Sequence, residues 1–288
     1  MGYEGWRFLN TGSGNAFFNM AVDEAVLWAV HRGMAPPTFR VYRWEPPAIS
    51  FGYAQRIEQE VDVAQCRAMG IQLVRRMTGG RAVLHWEELT YSIACPETHP
   101  ILGNRISDTY RILSEGLVAG LRRIGVVAEL ERSQPRPIPP RGTGVTSPCF
   151  SSPARYEVVV EGRKLIGSAQ RRMNEMVLQH GSLLIGPMHK QIVKVLRLDQ
   201  DDQVARFRRE LDERTTCLSE WLSDPVPFDE LGEALRRGMA EVLGVKLVPM
   251  ELSDEEQDRA SSLIYTKYGT EAWNFRRMLS RCKQGSKR

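Results

Sequence analysis

Cys149 stands in the stretch SPCFSSP, residues 147–153, between Pro148 and Pro153 and next to Ser151 and Ser152. A thiol in a Pro/Ser loop is open to solvent, and the chemistry it offers is nucleophilic attack as a thiolate. The other common use of a cysteine is as a small buried hydrophobe. Cys66 and Cys95 fall in helix-like and strand-like apolar patterns and fit that use, while Cys217 and Cys282 belong to no motif. A nucleophilic thiol needs its pKa lowered from about 8.5 by a cation, a base or a helix N-terminus. Lys164 is the candidate cation, because it follows a hairpin turn expected at Glu161-Gly162 and its strand can fold back under the Cys149 loop. The alternative for Lys164 is an exposed strand lysine with its ammonium in water.

A second constellation is LVRRMTGGRAVLHWEELTYSIACP, residues 73–96. Gly79 and Gly80 follow a strand-like run and free the backbone to approach a ligand closely, and Arg75, Arg76 and Arg81 offer charge to an anion or to a carrier's prosthetic group. A Gly-Gly pair can equally be a plain turn. His85 can be a catalytic base or a structural histidine held between Leu84 and Trp86.

These residues need elements to carry them. Phe18, Val22, Ala25, Val26 and Ala29 recur at helical spacing, with Ser13 or Asn15 as cap and Gly33 as stop. FRVYRWEPPAISFGY, residues 39–53, reads as two strands joined at the Pro46-Pro47 bend. A short helix from Asp62 closes at Gly70, and IQLVRR follows as a strand. Ser107 is the expected cap of a long helix whose stripe is Ile106, Tyr110, Leu113, Leu117, Leu121 and Ile124, followed by the strand VVAEL. The segment from Ser133 to Cys149 is too rich in proline for helix or ladder strand and reads as a loop able to act as a lid.

Three strand-like runs follow: YEVVVEG, RKLIGSAQRR and EMVLQHGSLLIG. Beyond them come a helix from Asp229 to Leu243, a strand KLVPMEL and a last long helix opened by a Ser253/Glu256 capping box. The expected fold class is α+β, a mixed β-sheet core packed with helices, with residues 1–250 as the catalytic domain, 251–280 as a helical segment packed on it and 281–288 as a frayed basic tail.

Composition narrows the function. A chain of 288 residues, 42% hydrophobic, can bury a large core. Five scattered cysteines without a C-x-x-C pair argue against a disulfide framework or a structural zinc, and five histidines without ligand spacing argue against any metal. A net charge of +4 is too small to point to nucleic acid and suits an acidic protein partner. There is no run of about 18 apolar residues for a membrane and no signal-peptide core at the start, so a cytoplasmic protein is expected.

RRMTGGRAVLH followed by ELTYS closely resembles the R-R-x-x-G-G-x-x-V-x-H motif of the lipoate and biotin protein ligase and octanoyltransferase superfamily. The segments NMAVDEAVL, PPTFRVYRWEPPAISFGYAQ, GRKLIGSAQRR with its K-x-x-G-x-A core, and KYGTEAWNFR resemble the same family in the same order, from Trp6 to about Arg276. Two departures are Trp86, where many relatives carry a polar or acidic residue, and Arg81, where ligases carry a third glycine.

The resemblance implies the ligase catalytic fold and a choice of chemistry. Ligases activate a free acid with ATP and need no protein thiol. Octanoyltransferases pass the acyl group through a cysteine thioester. In one type the cysteine lies in a C-x-x-H-G segment, and here the matching VLQHG carries Val177 at that place. In the other type it lies upstream of the lysine in a C-F-x-x-P loop, which CFSSP at Cys149 to Pro153 matches. A related amidotransferase type shares that cysteine but lacks the T-G-G-R-A-V-L-H run kept here from Thr78 to His85.

The implied catalytic residues are Cys149 and Lys164, and the implied substrate-binding residues are Arg76, Gly79, Gly80, Arg81, His85, Gly167, Ser168, Ala169, His180 and Gly181. Octanoyl-acyl carrier protein would be the donor, a lipoyl-domain protein such as glycine cleavage H protein the acceptor, and no cofactor, metal, nucleic acid or membrane would take part. The competing expectations are amidotransfer from H protein to E2 subunits, ATP-dependent lipoate ligation, and ligand binding without turnover. Backbone N–H groups near Gly79 and Gly80, or in the Cys149 loop, would hold the oxyanion. An apolar pocket of fixed depth would select chain length at roughly 0.8 kcal/mol per methylene.

Overall fold

A computed structural model describes residues 5–103, 105–131, 156–198 and 201–275. The Ser133–Cys149 loop, with the nucleophile expected at Cys149, and the tail at 281–288 lie outside the described residues. The fold is α+β, a mixed sheet covered by helices on both faces.

The first half of the chain runs β1 (Trp6–Gly14), α1 (Ala16–His31), β2 (Thr38–Trp44), β3 (Ala48–Phe51), α2 (Ile57–Glu60), α3 (Val63–Ala68), β4 (Gln72–Arg75), β5 (Val83–His85), β6 (Glu88–Pro96), α4 (Ile106–Arg123) and β7 (Glu129–Leu130). The second half runs β8 (Val158–Val160), β9 (Arg163–Met173), β10 (Met176–Leu184), a 3-10 segment at Pro187–Lys194, α5 (Asp201–Arg214), α6 (Phe228–Leu243), β11 (Leu247–Pro249), α7 (Asp254–Leu263) and α8 (Glu271–Asn274). The large sheet has the order β11-β1-β2-β6-β10-β9-β8-β7, parallel from β11 to β2 and antiparallel from there on. A small sheet, β4-β3-β5, lies beside it. No helix among the described residues is long and apolar enough to cross a membrane.

The period of two along β6 and β10 decides where the polar groups go. On β6, Leu89, Tyr91, Ile93 and Cys95 join the apolar core under α4 and α6. Their neighbours Glu88, Thr90 and Ser92 are also buried, but on the opposite face, toward α1. On β10, Val177 and Leu183 enter the same apolar core, while His180 and Ser182 face the other way and bond to Asp23 and Glu88.

Local signals in the sequence set several boundaries. Asn15 caps α1 by accepting from the Phe17 and Phe18 amides, and Gly33, at φ 68°, ends it. Asp62 caps α3. Glu161 and Gly162 have φ 48° and 72°, both in the left-handed region that a two-residue hairpin turn asks for. The strands on either side of Pro46-Pro47 part into different sheets, β2 into the large one and β3 into the small one.

Two expectations need correction. The cap of α4 is Arg105, without a side-chain bond, and Ile106 is 60% exposed, so Ser107 does not cap the helix and its stripe does not begin at Ile106. The reason is helix contact: α4 turns Gly116 and Gly120 toward α6, so close that a Cβ on Gly238 would lie 2.1 Å from the Gly120 nitrogen. The last helix does open with the Ser253/Glu256 capping box, but it is not one long helix. It widens into a π turn at Ile264–Tyr268 and restarts as α8, which lets Lys267 and Tyr268 both reach Glu24 on α1 at 2.6 Å.

Candidate active site

A pocket, open at its mouth, lies between the large sheet and the small one. The small-sheet side supplies Ser50, Arg76, Gly80, Val83 and His85; β9 supplies Lys164, Gly167, Ser168 and Ala169; β10 supplies His180, Gly181 and Ser182. Met20, Tyr42, Trp44 and Thr90 complete the wall. The pocket thus gathers Arg76, Gly80, His85, Lys164, Gly167, Ser168, Ala169, His180 and Gly181 from the residues singled out in the sequence. Gly79 and Arg81 lie in the same loop but do not line it.

The loop after β4 is held by its own arginine. Arg76 donates through Nη1 to the Ser50 carbonyl at 2.7 Å, and through Nη2 to the carbonyls of Gly79 and Arg81 at 2.8 Å each. The loop packs so tightly that a Cβ on Gly52 would come within 2.0 Å of the Gly80 oxygen, and Gly80 itself has φ 89°. Arg75 donates to the carbonyls of Gly52, Tyr53, Gln55, Trp273 and Asn274. Its guanidinium ties the C-terminal segment to this loop, which does not match its sequence reading as an anion contact.

Two carboxylate–histidine–hydroxyl chains stand side by side in the wall. In the first, His180 lies 3.4 Å from Asp23 through Nδ1 and 2.5 Å from the Thr78 hydroxyl through Nε2. Burial would raise the Asp23 carboxyl, but Arg40 at 2.7 Å, with hydrogen bonds from His180 and Ser92, carries it below its usual value. Burial lowers the His180 pKa against the pull of Asp23, so the ring is neutral at pH 7. A proton on Nδ1 facing the carboxylate leaves Nε2 to accept from Thr78, a fully buried hydroxyl outside the pocket lining. In the second chain, His85 meets the Ser50 hydroxyl at 2.8 Å through Nε2 and lies 3.6 Å from Glu88 through Nδ1. Ser182 and Thr90 donate to Glu88, and the Trp44 ring stacks on His85 at 4.1 Å between centroids.

The lining also carries one member of a charge pair. Lys164 is 5% exposed, and its Nζ lies 2.5 Å from Oε1 of Glu157, itself 5% exposed. The Lys164 carbonyl accepts from the Thr216 amide at 3.0 Å, which fixes the strand behind it. The sequence reading missed Glu157, which lies beyond a register shift between Val158 and Val159 that the sequence did not announce. It also missed the roles of Asp23 and Thr78. Asn19 and Asp23, four residues apart in the apolar run of α1, are the pattern that could have announced a polar stripe aimed at the sheet.

Comparison with known proteins bears on this site. Residues 15–240 match the family described as the lipoyl protein ligase A/B catalytic domain. The chain belongs to that family. It is 45% identical over 272 residues to the octanoyltransferase LipM of Kyrpidia tusciae, an alignment covering 94% of this chain and 99% of that one. It is 36% identical over 279 residues to the octanoyltransferase LipM of Bacillus subtilis, covering 95% and 99%. A solved structure with the same fold is the bipartite lipoate protein ligase of Thermoplasma acidophilum, studied with its E2 lipoyl domain, at TM-score 0.76 and 25% identity over 95% of this chain and 97% of that one. Family membership accounts for the order of the sequence motifs, and the fold neighbour for the sheet that carries them.

Proposed function

We propose that the protein is an octanoyltransferase of lipoate biosynthesis, which takes an octanoyl group from octanoyl-acyl carrier protein onto Cys149 and passes it to the lysine of a lipoyl domain, for example glycine cleavage H protein. The observation that carries the reading is the full-length identity of 45% to a protein named octanoyltransferase LipM. The wall around Lys164 supports it: a pocket with a buried lysine in its wall suits an acyl thioester.

In the first step the Cys149 thiolate attacks the thioester carbonyl and the carrier's sulfur leaves with its electron pair. Lys164 gives that sulfur a proton, which releases the carrier thiol and leaves an acyl-enzyme beside a neutral amine. In the second step a neutral amine of the acceptor attacks the acyl-enzyme. An amide forms, the Cys149 sulfur leaves as thiolate, and the proton shed by the attacking nitrogen returns to Lys164. Thioester exchange is close to neutral in energy and amide formation runs downhill, so no ATP is consumed. Arg76 holds the Gly79-Gly80 backbone where it can offer N–H groups to the oxyanion. The cytoplasm is the compartment this reading assigns.

The test is transfer with purified components. Octanoyl-acyl carrier protein and apo-H protein, without ATP, are expected to yield octanoyl-H protein by mass. Modification that requires ATP and free acid would make the protein a ligase. Transfer only from octanoyl-H protein to an E2 domain would make it an amidotransferase.

A further inference from the structure

The glycine loop joins β4 to β5 in the small sheet, whereas Lys164 stands on β9 of the large one. Two bonds tie the loop to the large sheet just before its glycines. Arg171 of β9 donates to the Met77 carbonyl at 2.6 Å, and the buried Thr78 hydroxyl lies 2.5 Å from Nε2 of His180 on β10, the residue that pairs with Ala169 of β9. Asp23 faces the other ring nitrogen at 3.4 Å and is itself fixed by Arg40, Ser92 and Tyr42. With the ring proton on Nδ1, Nε2 accepts the one hydrogen that a threonine hydroxyl can give, while Arg76 Nε donates to the Thr78 oxygen at 3.2 Å. Beyond Thr78 two residues lack a Cβ, so the direction of their peptides depends on the anchors at either end. Arg76 takes the Gly79 and Arg81 carbonyls, and the planarity of a trans peptide then turns the Gly80 N–H away from Arg76. Among the described residues no backbone carbonyl accepts from the Gly79 or Gly80 amide.

We propose that Thr78 is a positioning residue for acyl transfer: its hydroxyl, held by His180 with Asp23 behind it, fixes the glycine loop against the large sheet and so sets where the Gly79 and Gly80 N–H groups point at the acyl carbonyl. This rests on the transferase reading and adds to it the side chain that aims the donors. Arg76 fixes how the loop is curled, and Thr78 fixes where the curl sits relative to the strands that carry His180 and Lys164. No bond forms or breaks at Thr78. Its loss therefore acts on the oxyanion of the transition state more than on the bound donor, whose other contacts with the pocket are kept.

Two variants separate the hydroxyl from its shape. Thr78→Val keeps the shape and removes the hydroxyl; Thr78→Ser keeps the hydroxyl. In the full-length protein with nitrogen-15 in its histidines, His180 is expected to carry its ring proton on Nδ1 and none on Nε2. A proton on Nε2 overturns the proposal, and that result needs no variant at position 78 to fold. Without donor, the Gly79 and Gly80 amide resonances are expected to move in Thr78→Val and to keep their places in Thr78→Ser. Amides that stay in place in Thr78→Val overturn it. Single-turnover acylation at saturating octanoyl-acyl carrier protein is expected to slow roughly 100-fold in Thr78→Val with donor affinity kept, and to recover mostly in Thr78→Ser. Equal slowing in both variants, or a loss confined to donor affinity, means that Thr78 serves packing, which also overturns it. If the enzyme forms no octanoyl adduct while the two glycine amides still move in Thr78→Val, the transferase reading fails and the placement of the loop by Thr78 stands.

Discussion

On one side of the pocket Asp23, His180 and Thr78, with Glu88, His85 and Ser50 beside them, form two polar chains anchored by Arg40, Trp44 and Ser182. On β9 Lys164 forms a buried ion pair with Glu157. A polar network with many partners gives each side chain one low-energy place, so the histidine wall sets shape. A close buried pair makes the charge form of each member depend on the other. The acid–base work is therefore expected on the Lys164 side, and stability is expected to depend on the Asp23 side.

The largest effect should fall on activity. Lys164→Met is expected to slow acyl transfer roughly 1,000-fold, checked by single-turnover transfer. Its thermal midpoint should fall less than that of Asp23→Ala, because a carboxylate left behind without its partner can take up a proton. A Lys164 variant that loses stability without losing rate would break the comparison. Next comes stability on the other wall. Asp23→Ala leaves Arg40 buried without its carboxylate, and a guanidinium cannot shed its charge, so the change is expected to cost about 3–5 kcal/mol in urea unfolding.

The loop between the walls ranks third. Gly52→Ala drives a methyl against the Gly80 oxygen and is expected to cost about 1–3 kcal/mol of stability, with lower donor affinity measured by titration. Last comes an effect absent at neutral pH: it belongs to His189, which supports the strand behind Lys164 by meeting Thr215 at 2.9 Å. Burial lowers its pKa from 6.5 to about 4. The folded state therefore prefers the neutral ring, so this contribution is present above pH 6.5 and is lost as pH falls toward 4, by roughly 3 kcal/mol at most. Unfolding free energies measured across that window should show a shallower slope in His189→Asn.

What the sequence made legible was local. The Asn15 cap, the Glu161-Gly162 turn and the Ser253 capping box each depend on residues within a few positions of one another. The break in the C-terminal helix was not legible, because it depends on Tyr268 reaching Glu24, 244 residues away. The site divides in the same way. The R-R-x-x-G-G-x-x-V-x-H and K-x-x-G-x-A motifs announced Arg76, Gly80, His85 and Lys164, which the fold brings to one pocket. The carboxylates behind the histidines and the lysine were hidden. His180 and Asp23 are 157 residues apart, and in the sequence Asp23 is one more acidic residue on an amphipathic helix.

The account turns on an acyl group passing through Cys149, and intact-protein mass measured under denaturing conditions tests it most directly. After incubation with octanoyl-acyl carrier protein and no ATP, the protein is expected to gain one octanoyl group that hydroxylamine removes, and Cys149→Ala is expected to gain none. An unmodified protein that nevertheless transfers octanoate, or equal labelling of Cys149→Ala, would contradict it.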